Sequence, residues 1–127
     1  MNLEKVVFGF FVVLALALNF GFFLGEMENP AHHNVFELFF VIVVNIIATF
    51  LKFGDRSQIG AVLLATSLVA DLELIAAATY WTFAVHITGT GLTPEIMASI
   101  VSLTGGALLA NVISAIILVS ETLFNRL

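Results

Sequence analysis

Cysteine is absent from this sequence, and charged residues are scarce. With no cysteine among 127 residues, the chain can form no disulfide, thiolate metal site or cysteine nucleophile. Only 10% of the residues are charged, 61% are hydrophobic, and the mean hydropathy is +1.13. Soluble domains are about one-quarter charged, so this composition predicts a membrane protein. The four basic residues are too few to form a nucleic-acid surface.

Catalytic motifs are missing as well. The sequence contains no HExxH, no GxSxG and no phosphate-binding Gly-rich loop, the patterns that would indicate metal-assisted hydrolysis, a serine nucleophile or nucleotide binding. We therefore expect no enzymatic activity, and no pattern indicates a cofactor.

Four apolar segments are long enough to cross a bilayer, whose core of about 30 Å needs about 20 helical residues. The predicted spans are residues 6–24, 35–53, 59–84 and 95–124. The predicted fold is an all-α integral membrane protein with one domain over residues 1–127. The third and fourth spans exceed one straight crossing, and we expect the fourth to kink or divide at Gly105-Gly106.

The charges are distributed asymmetrically between the two ends of the predicted bundle. Four spans place both termini and the second loop on one side, which holds every basic residue: Lys5, Lys52, Arg56 and Arg126. The positive-inside rule therefore predicts that both termini are cytoplasmic. The opposite side holds the acidic residues that would line an outer mouth: Glu26, Glu28, Glu37 and Glu95.

Each span carries a polar residue near the predicted middle of the membrane. Counting about 1.5 Å per residue from the cytoplasmic ends places Asp71 at roughly 18 Å and Glu73 at roughly 21 Å. Asn19 and Asn111 come at roughly 20 Å, and Asn45 at roughly 12 Å. Hydrogen bonds between helices, worth about 0.6 kcal/mol each on average, would explain the asparagines. They explain the two carboxylates less well, because amides would form the same bonds with a smaller desolvation cost.

The two carboxylates lie on different faces of the third span. At about 100° per residue, Asp71 shares a small and polar stripe with Gly60, Ser67, Ala78 and Thr82, while Glu73 lies about 200° away. The fourth span carries a stripe of Thr104, Ala107, Asn111, Ala115 and Thr122, which we expect to pack against the third span. Two polar faces predict a central third helix with little lipid contact, its second face covered by another copy of the chain or a partner subunit.

The first loop contains a possible metal site. His33 and Glu37 are four residues apart and would share a helical face, with a divalent metal bound between them and a loop carboxylate. Two other interpretations stand beside this one. These residues are exposed polar loop residues, or His32, His33 and His86 sense pH on the outer side.

In size and number of spans the chain resembles the small multidrug transporters and the small fluoride channels. It carries Asn19 where the multidrug family has a glutamate in the first span, and it lacks the glycine and asparagine signatures of the fluoride channels. Asn-Phe-Gly-Phe-Phe at 19–23, Lys-Phe-Gly-Asp-Arg at 52–56 and Ala-Thr-Ser-Leu-Val-Ala-Asp at 65–71 resemble a family of small bacterial inner-membrane proteins known only as a domain of unknown function. This resemblance implies a bacterial inner-membrane location and no activity.

Two functional hypotheses follow. The first is an oligomeric channel or transporter for a monovalent cation or protons, with Asp71 as the principal intramembrane site. Its further ion-binding residues would be Glu73, Asn111, Asn19, Asn45, Ser67 and Thr104, and the outer glutamates would attract cations. The second is a non-catalytic accessory or assembly subunit that docks on a larger membrane complex.

Overall fold

Four long helices make up the structure. The computed structural model describes the backbone of residues 3–126 and the side chains of residues 3–124, so the side chain of Arg126 lies outside the described residues. The helices are α1 (Leu3–Phe23), α2 (Val35–Lys52), α3 (Gln58–Thr82) and α4 (Pro94–Arg126). All four are long and apolar enough to cross a membrane. The predicted all-α multi-pass membrane fold is confirmed.

Local sequence sets the helix starts. Asn34 accepts a hydrogen bond from Phe36 N at 2.8 Å before α2, and Ser57 accepts one from Gly60 N at 2.9 Å before α3. These side-chain oxygens satisfy backbone N–H groups that have no partner within the helix. Pro94 opens α4, where its missing N–H costs nothing. Helix α2 begins at the predicted residue, and the other three begin one to three residues before the predicted positions.

The helices form a closed ring in which each packs against its neighbours in sequence and α1 also packs against α4. An ion pair between Lys5 Nζ and Glu121 Oε1, 2.7 Å apart, joins the beginning of α1 to the end of α4. Lys5 therefore lies at the same end of the bundle as the α2–α3 loop, which also follows from the alternating direction of the helices. We call this the basic end and the opposite one the acidic end.

The prediction that α3 is a central helix is wrong. Leu72 is 70% exposed, and Leu68, Val69 and Ile75 are exposed with it. In a ring of four helices each helix has two neighbours and keeps one outward face, which here is apolar and suited to lipid. Asp71 meets α2 and Glu73 meets α4 within one chain, so Glu73 by itself no longer requires a second copy.

The two long helices accommodate their length differently. Helix α3 continues into a π-helical segment, Phe83–Ile87, before the glycine-containing loop to α4. Helix α4 is not divided at its two glycines and runs without interruption over 33 residues. A β-carbon at Gly105 would lie 2.9 Å from the Phe23 ring, and one at Gly106 would overlap the Glu73 carboxylate. The glycines thus allow close approach of neighbouring helices.

Candidate functional site

Asp71 is held between α2 and α3 by two hydrogen bonds from α2. Asn45 Nδ2 donates to Asp71 Oδ1 at 2.6 Å, and Thr49 Oγ1 donates to Asp71 Oδ2 at 2.5 Å. The second hydrogen of the Asn45 amide faces the backbone oxygen of Ser67 at 3.3 Å. Asn45 and Thr49 are one helical turn apart, so both face the same neighbour. Each carboxyl oxygen therefore has one donor.

The Thr49 hydroxyl has one hydrogen and two acceptors. Its oxygen lies 2.5 Å from Asp71 Oδ2 and 2.9 Å from the backbone oxygen of Asn45. When Asp71 is ionised, the hydroxyl donates to the carboxylate. When Asp71 carries a proton on Oδ2, the carboxyl donates to Thr49, and Thr49 donates to the Asn45 carbonyl. In either protonation state, therefore, every hydroxyl hydrogen of the site has an acceptor.

Asp71 forms no ion pair with a basic side chain among residues 3–124. Lys5 pairs with Glu121 instead, and Lys52 pairs with Asp55. Asp71 is half-buried, whereas Asn45 and Thr49 are 1% and 5% exposed. Neutral donors alone are thus available to an ionised Asp71 at a depth where charge is costly.

A cavity of about 1220 Å³ opens at the basic end of the bundle. Lys5, Lys52, Asp55 and Glu121 contribute its charged lining together with Glu4. Lys52 Nζ lies 4.4 Å from the centre of the Phe8 ring and 3.3 Å from Asp55 Oδ2. Thr49 is three residues before Lys52, about 4.5 Å deeper along the helix axis. The cavity therefore ends about one helical turn from the Asp71 network.

Asp55 organises the loop at the mouth of this cavity. Its Oδ1 accepts hydrogen bonds from Ser57 N at 3.0 Å and Ser57 Oγ at 2.8 Å. The bond from the Ser57 backbone N–H is the main cause that lowers the pKa of the Asp55 carboxyl. Ionised Asp55 therefore favours the folded loop above the ordinary pKa of aspartate, and this contribution is lost as the pH falls through the lowered value.

Glu73 lies on the other side of α3, against α4. Its carboxylate occupies the space where a β-carbon of residue 106 would stand, and only glycine leaves that space. Nearby on the same two helices, Thr66 Oγ1 and Ser114 Oγ are 2.5 Å apart. The prediction that the Asp71 face packs against the fourth span is wrong, because that face meets α2 and the Glu73 face meets α4. Turning α3 by about 180° would exchange the two neighbours.

The remaining asparagines lie near α4. Asn19 is fully buried. In the amide orientation that satisfies both of its polar atoms, the nitrogen donates to Thr104 O and the oxygen accepts from Leu108 N, both at 3.0 Å. These backbone groups are the pair that an ordinary α-helical hydrogen bond would join. Asn111 is buried at 4% exposure within α4. Asn19 thus joins α1 to α4 through two backbone groups, and neither of these partners belongs to the Asp71 site.

The structure does not bring the residues of the predicted metal site together. The two ring nitrogens of His33 face backbone oxygens of Phe22 and Glu26 at 2.6 and 2.8 Å. Glu37 instead lies against Gly21. No group of three or more His, Asp or Glu side chains among the described residues is placed to hold a metal. Of the predicted outer-mouth residues, Glu26, Glu28 and Glu95 are exposed.

The Asp71 site lies wholly within a region that matches a known family. The family of unknown function DUF6394 matches residues 32–122, which include α2, α3 and most of α4. The chain belongs to this family. Neither the curated proteins nor the solved structures give a significant match.

Thr49 and Ser114 were not among the site residues predicted from the sequence. Thr49 shares a helix face with Asn45, and this i, i+4 spacing to an intramembrane asparagine is the signal that would have placed it in the Asp71 site. Ser114, which meets Thr66, lies in a Val-Ile-Ser-Ala segment with no local signal. Ser67 contributes its carbonyl to the site, and the hydroxyl of Thr104 donates to its own helix at Val101 O.

Proposed function

We propose that this protein moves protons across the membrane and that Asp71 is the group that takes up and releases them. The observation that carries the proposal is the Thr49 hydroxyl, which faces both Asp71 and the Asn45 carbonyl. Rotating the Thr49 hydroxyl hydrogen towards the Asn45 carbonyl and reversing the Thr49–Asp71 bond lets Asp71 gain a proton with no rearrangement of heavy atoms, and the opposite change lets it lose one. A group that transfers protons needs this freedom.

The groups around Asp71 favour a proton over a metal cation. A sodium or potassium site presents several converging oxygens, usually carbonyls. Around Asp71, Asn45 presents its nitrogen, and Thr49 presents a hydroxyl that is already used as a donor. A cation would have to displace both donors. Of the two cargoes considered from the sequence, we therefore favour the proton.

The cavity at the basic end supports access from one side. It begins about one helical turn from Thr49 and is lined by Lys52 and Asp55. By the positive-inside rule, this end faces the cytoplasm. Towards the acidic end, the interior beside α2 and α3 is filled by buried Leu38, Val41 and Leu74. Proton release to that side would require these helices to separate, which is expected of a transporter that opens to one side at a time.

Several earlier predictions belong to this proposal. They are the assembly into a homo-oligomer or with a partner subunit, the bacterial inner membrane, and cytoplasmic termini. Of the residues named for an ion path, Asp71, Asn45 and the Ser67 carbonyl remain in the site, and Thr49 joins them. Glu73 remains a second carboxylate on a separate face.

Proton flux into liposomes that contain only the purified protein tests the proposal. With an imposed pH gradient and a trapped pH dye, we expect the wild type to dissipate the gradient and Asp71→Asn to lose most of this flux. Glu73→Gln is the matched comparison, because it removes a carboxylate two residues away and leaves the Asp71 hydrogen bonds in place. We expect it to retain more flux than Asp71→Asn.

Two outcomes would overturn the proposal. If the wild type carries no protons, the protein is not a proton transporter by itself, and the accessory-subunit hypothesis takes its place. If Asp71→Asn conducts as the wild type does while Glu73→Gln is inactive, the wrong carboxylate has been assigned.

A further inference from the structure

His33 lies buried in the loop between α1 and α2, with a carbonyl oxygen at each ring nitrogen. It is 3% exposed. Its Nδ1 lies 2.6 Å from the backbone oxygen of Phe22, and its Nε2 lies 2.8 Å from the backbone oxygen of Glu26. The ring also packs against the Phe22 ring, with centroids 5.4 Å apart. This histidine therefore joins the end of α1, the first loop and the start of α2.

The two acceptors require two donors. A carbonyl oxygen can only accept a hydrogen bond, and a neutral imidazole has one N–H and one nitrogen lone pair. A neutral His33 would direct its lone pair at one of the two carbonyls. The charged imidazolium, which has an N–H on both nitrogens, satisfies both. We propose that His33 is a proton-binding site at the acidic end, and that its bound proton fastens the first loop to the end of α1.

The position suits a positive charge. Phe22 is in the last turn of α1, where carbonyl groups have no partner within the helix and the helix dipole is negative. A cation that bonds to such a carbonyl is a favourable C-terminal cap. The proton site is therefore built by the backbone and does not depend on Asp71.

The charged groups at this end of the bundle are acidic or histidine. They are Glu26, Glu28 and His32 in the same loop, Glu37 on α2 against Gly21, His86 in the π-helical segment, and Glu95 at the start of α4. From α3 the neighbour of Phe22 is Trp81, which does not titrate, with ring centroids 6.3 Å apart. The described side chains of α1 add no titratable group at this end. Among the described residues, no lysine or arginine side chain lies at this end to repel a positive charge on His33.

His32 has the opposite requirement. Its Nδ1 accepts a hydrogen bond from Glu26 N at 2.9 Å, so that nitrogen must be free of a proton. Its Nε2 lies 3.3 Å from Asn29 Nδ2. The two neighbouring histidines thus hold the backbone of Glu26, His32 at its N–H and His33 at its C=O. Losing the hydrogen on Nε2 of His33, or placing one on Nδ1 of His32, would break one of these two bonds.

Nitrogen NMR of the ¹⁵N-histidine-labelled protein in lipid bilayers tests the site without any mutation. Ring nitrogens with and without hydrogen have well-separated resonances. We expect both nitrogens of His33 to carry hydrogen wherever the loop is ordered, and His32 to carry it on one nitrogen there. A neutral His33 ring in a loop whose amides remain as protected from exchange would overturn the proposal.

Hydrogen exchange of the loop amides gives the functional readout. Once His33 loses its proton, we expect exchange at His32 N and Asn29 N to rise roughly ten- to a hundredfold beyond the intrinsic pH effect, the range expected for one lost hydrogen bond of a charged group. His33→Phe keeps a ring and should exchange at the faster rate at every pH. His86→Phe, at the other, exposed histidine, is the matched control and should behave as the wild type. Equal pH dependence in His33→Phe and the wild type would contradict the proposal.

Discussion

Replacing Thr49 with valine removes one hydroxyl from the Asp71 site and keeps the shape of the side chain. Thr49 is 5% exposed, so little space is open for a water molecule to replace the lost donor. If Asp71 is ionised, the variant loses a hydrogen bond to a charge, which is worth about 1.5–3 kcal/mol. If Asp71 is protonated, it loses a neutral bond, which averages about 0.6 kcal/mol in a membrane protein. The cost of Thr49→Val should therefore be about 1–2 kcal/mol larger at high pH than at low pH.

The free energy of unfolding, measured in mixed micelles at a series of pH values, gives this cost. Trp81 is the single tryptophan and packs against Phe22, so its fluorescence reports on the folded bundle. Thr49→Ser keeps the hydroxyl and should show little pH-dependent cost. Thr79→Val removes an exposed hydroxyl that bonds to its own helix. Its cost gives the effect of replacing threonine by valine where no carboxyl group is involved.

The Asp71→Asn background completes the cycle. Without a titrating group at 71, the cost of Thr49→Val should not change with pH. A cost in the wild-type background that is the same at all pH values would refute the assigned network. So would a pH dependence that persists in Asp71→Asn.

Three further predictions concern the packing and the orientation. Alanine at Gly106 gains about 1 kcal/mol of helix propensity, but its β-carbon would displace the Glu73 carboxylate. Measured by the free energy of unfolding, Gly106→Ala should therefore stabilise the protein more in a Glu73→Ala background than in the wild type. Asn19→Leu should cost about 1 kcal/mol or less, since its two backbone partners in α4 can bond to each other, and a large loss would show that they cannot. Because the chain has no cysteine, Glu28→Cys in cells should react with an impermeant maleimide from outside and Gln58→Cys only after permeabilisation, and the reverse pattern would invert the topology.

Much of the fold follows from the sequence because the bilayer limits the possibilities. The length of apolar runs and the capping residues Asn34 and Ser57 are local signals, and they place the helices closely. Three of the four neighbouring pairs in the ring are consecutive helices joined by loops, as expected for chains of this kind. The asymmetric charge gives a predicted orientation in the same way.

The contacts within the site required the structure. The helical periodicity of α3 correctly places Asp71 and Glu73 on different faces, but it carries no information on which neighbouring helix each face meets. Both α2 and α4 offer an asparagine on a small polar stripe, Asn45 and Asn111, so the sequence could not decide between them. The prediction chose α4, but Asp71 contacts Asn45 of α2. The counted depths placed Asn45 about 6 Å below Asp71, although the two are in contact, because the count ignores helix tilt and unequal helix ends.

Protonation of Asp71 is the central claim, and infrared difference spectroscopy tests it most directly. Spectra of the protein reconstituted in lipid, recorded between low and high pH, show the C=O band of each carboxylic acid that loses its proton. The account predicts one such band that is absent in Asp71→Asn and shifted in Thr49→Val, where its hydrogen-bond partner is gone. If wild-type and Asp71→Asn proteins give the same carboxylic acid bands, Asp71 exchanges no proton and the proposed function fails.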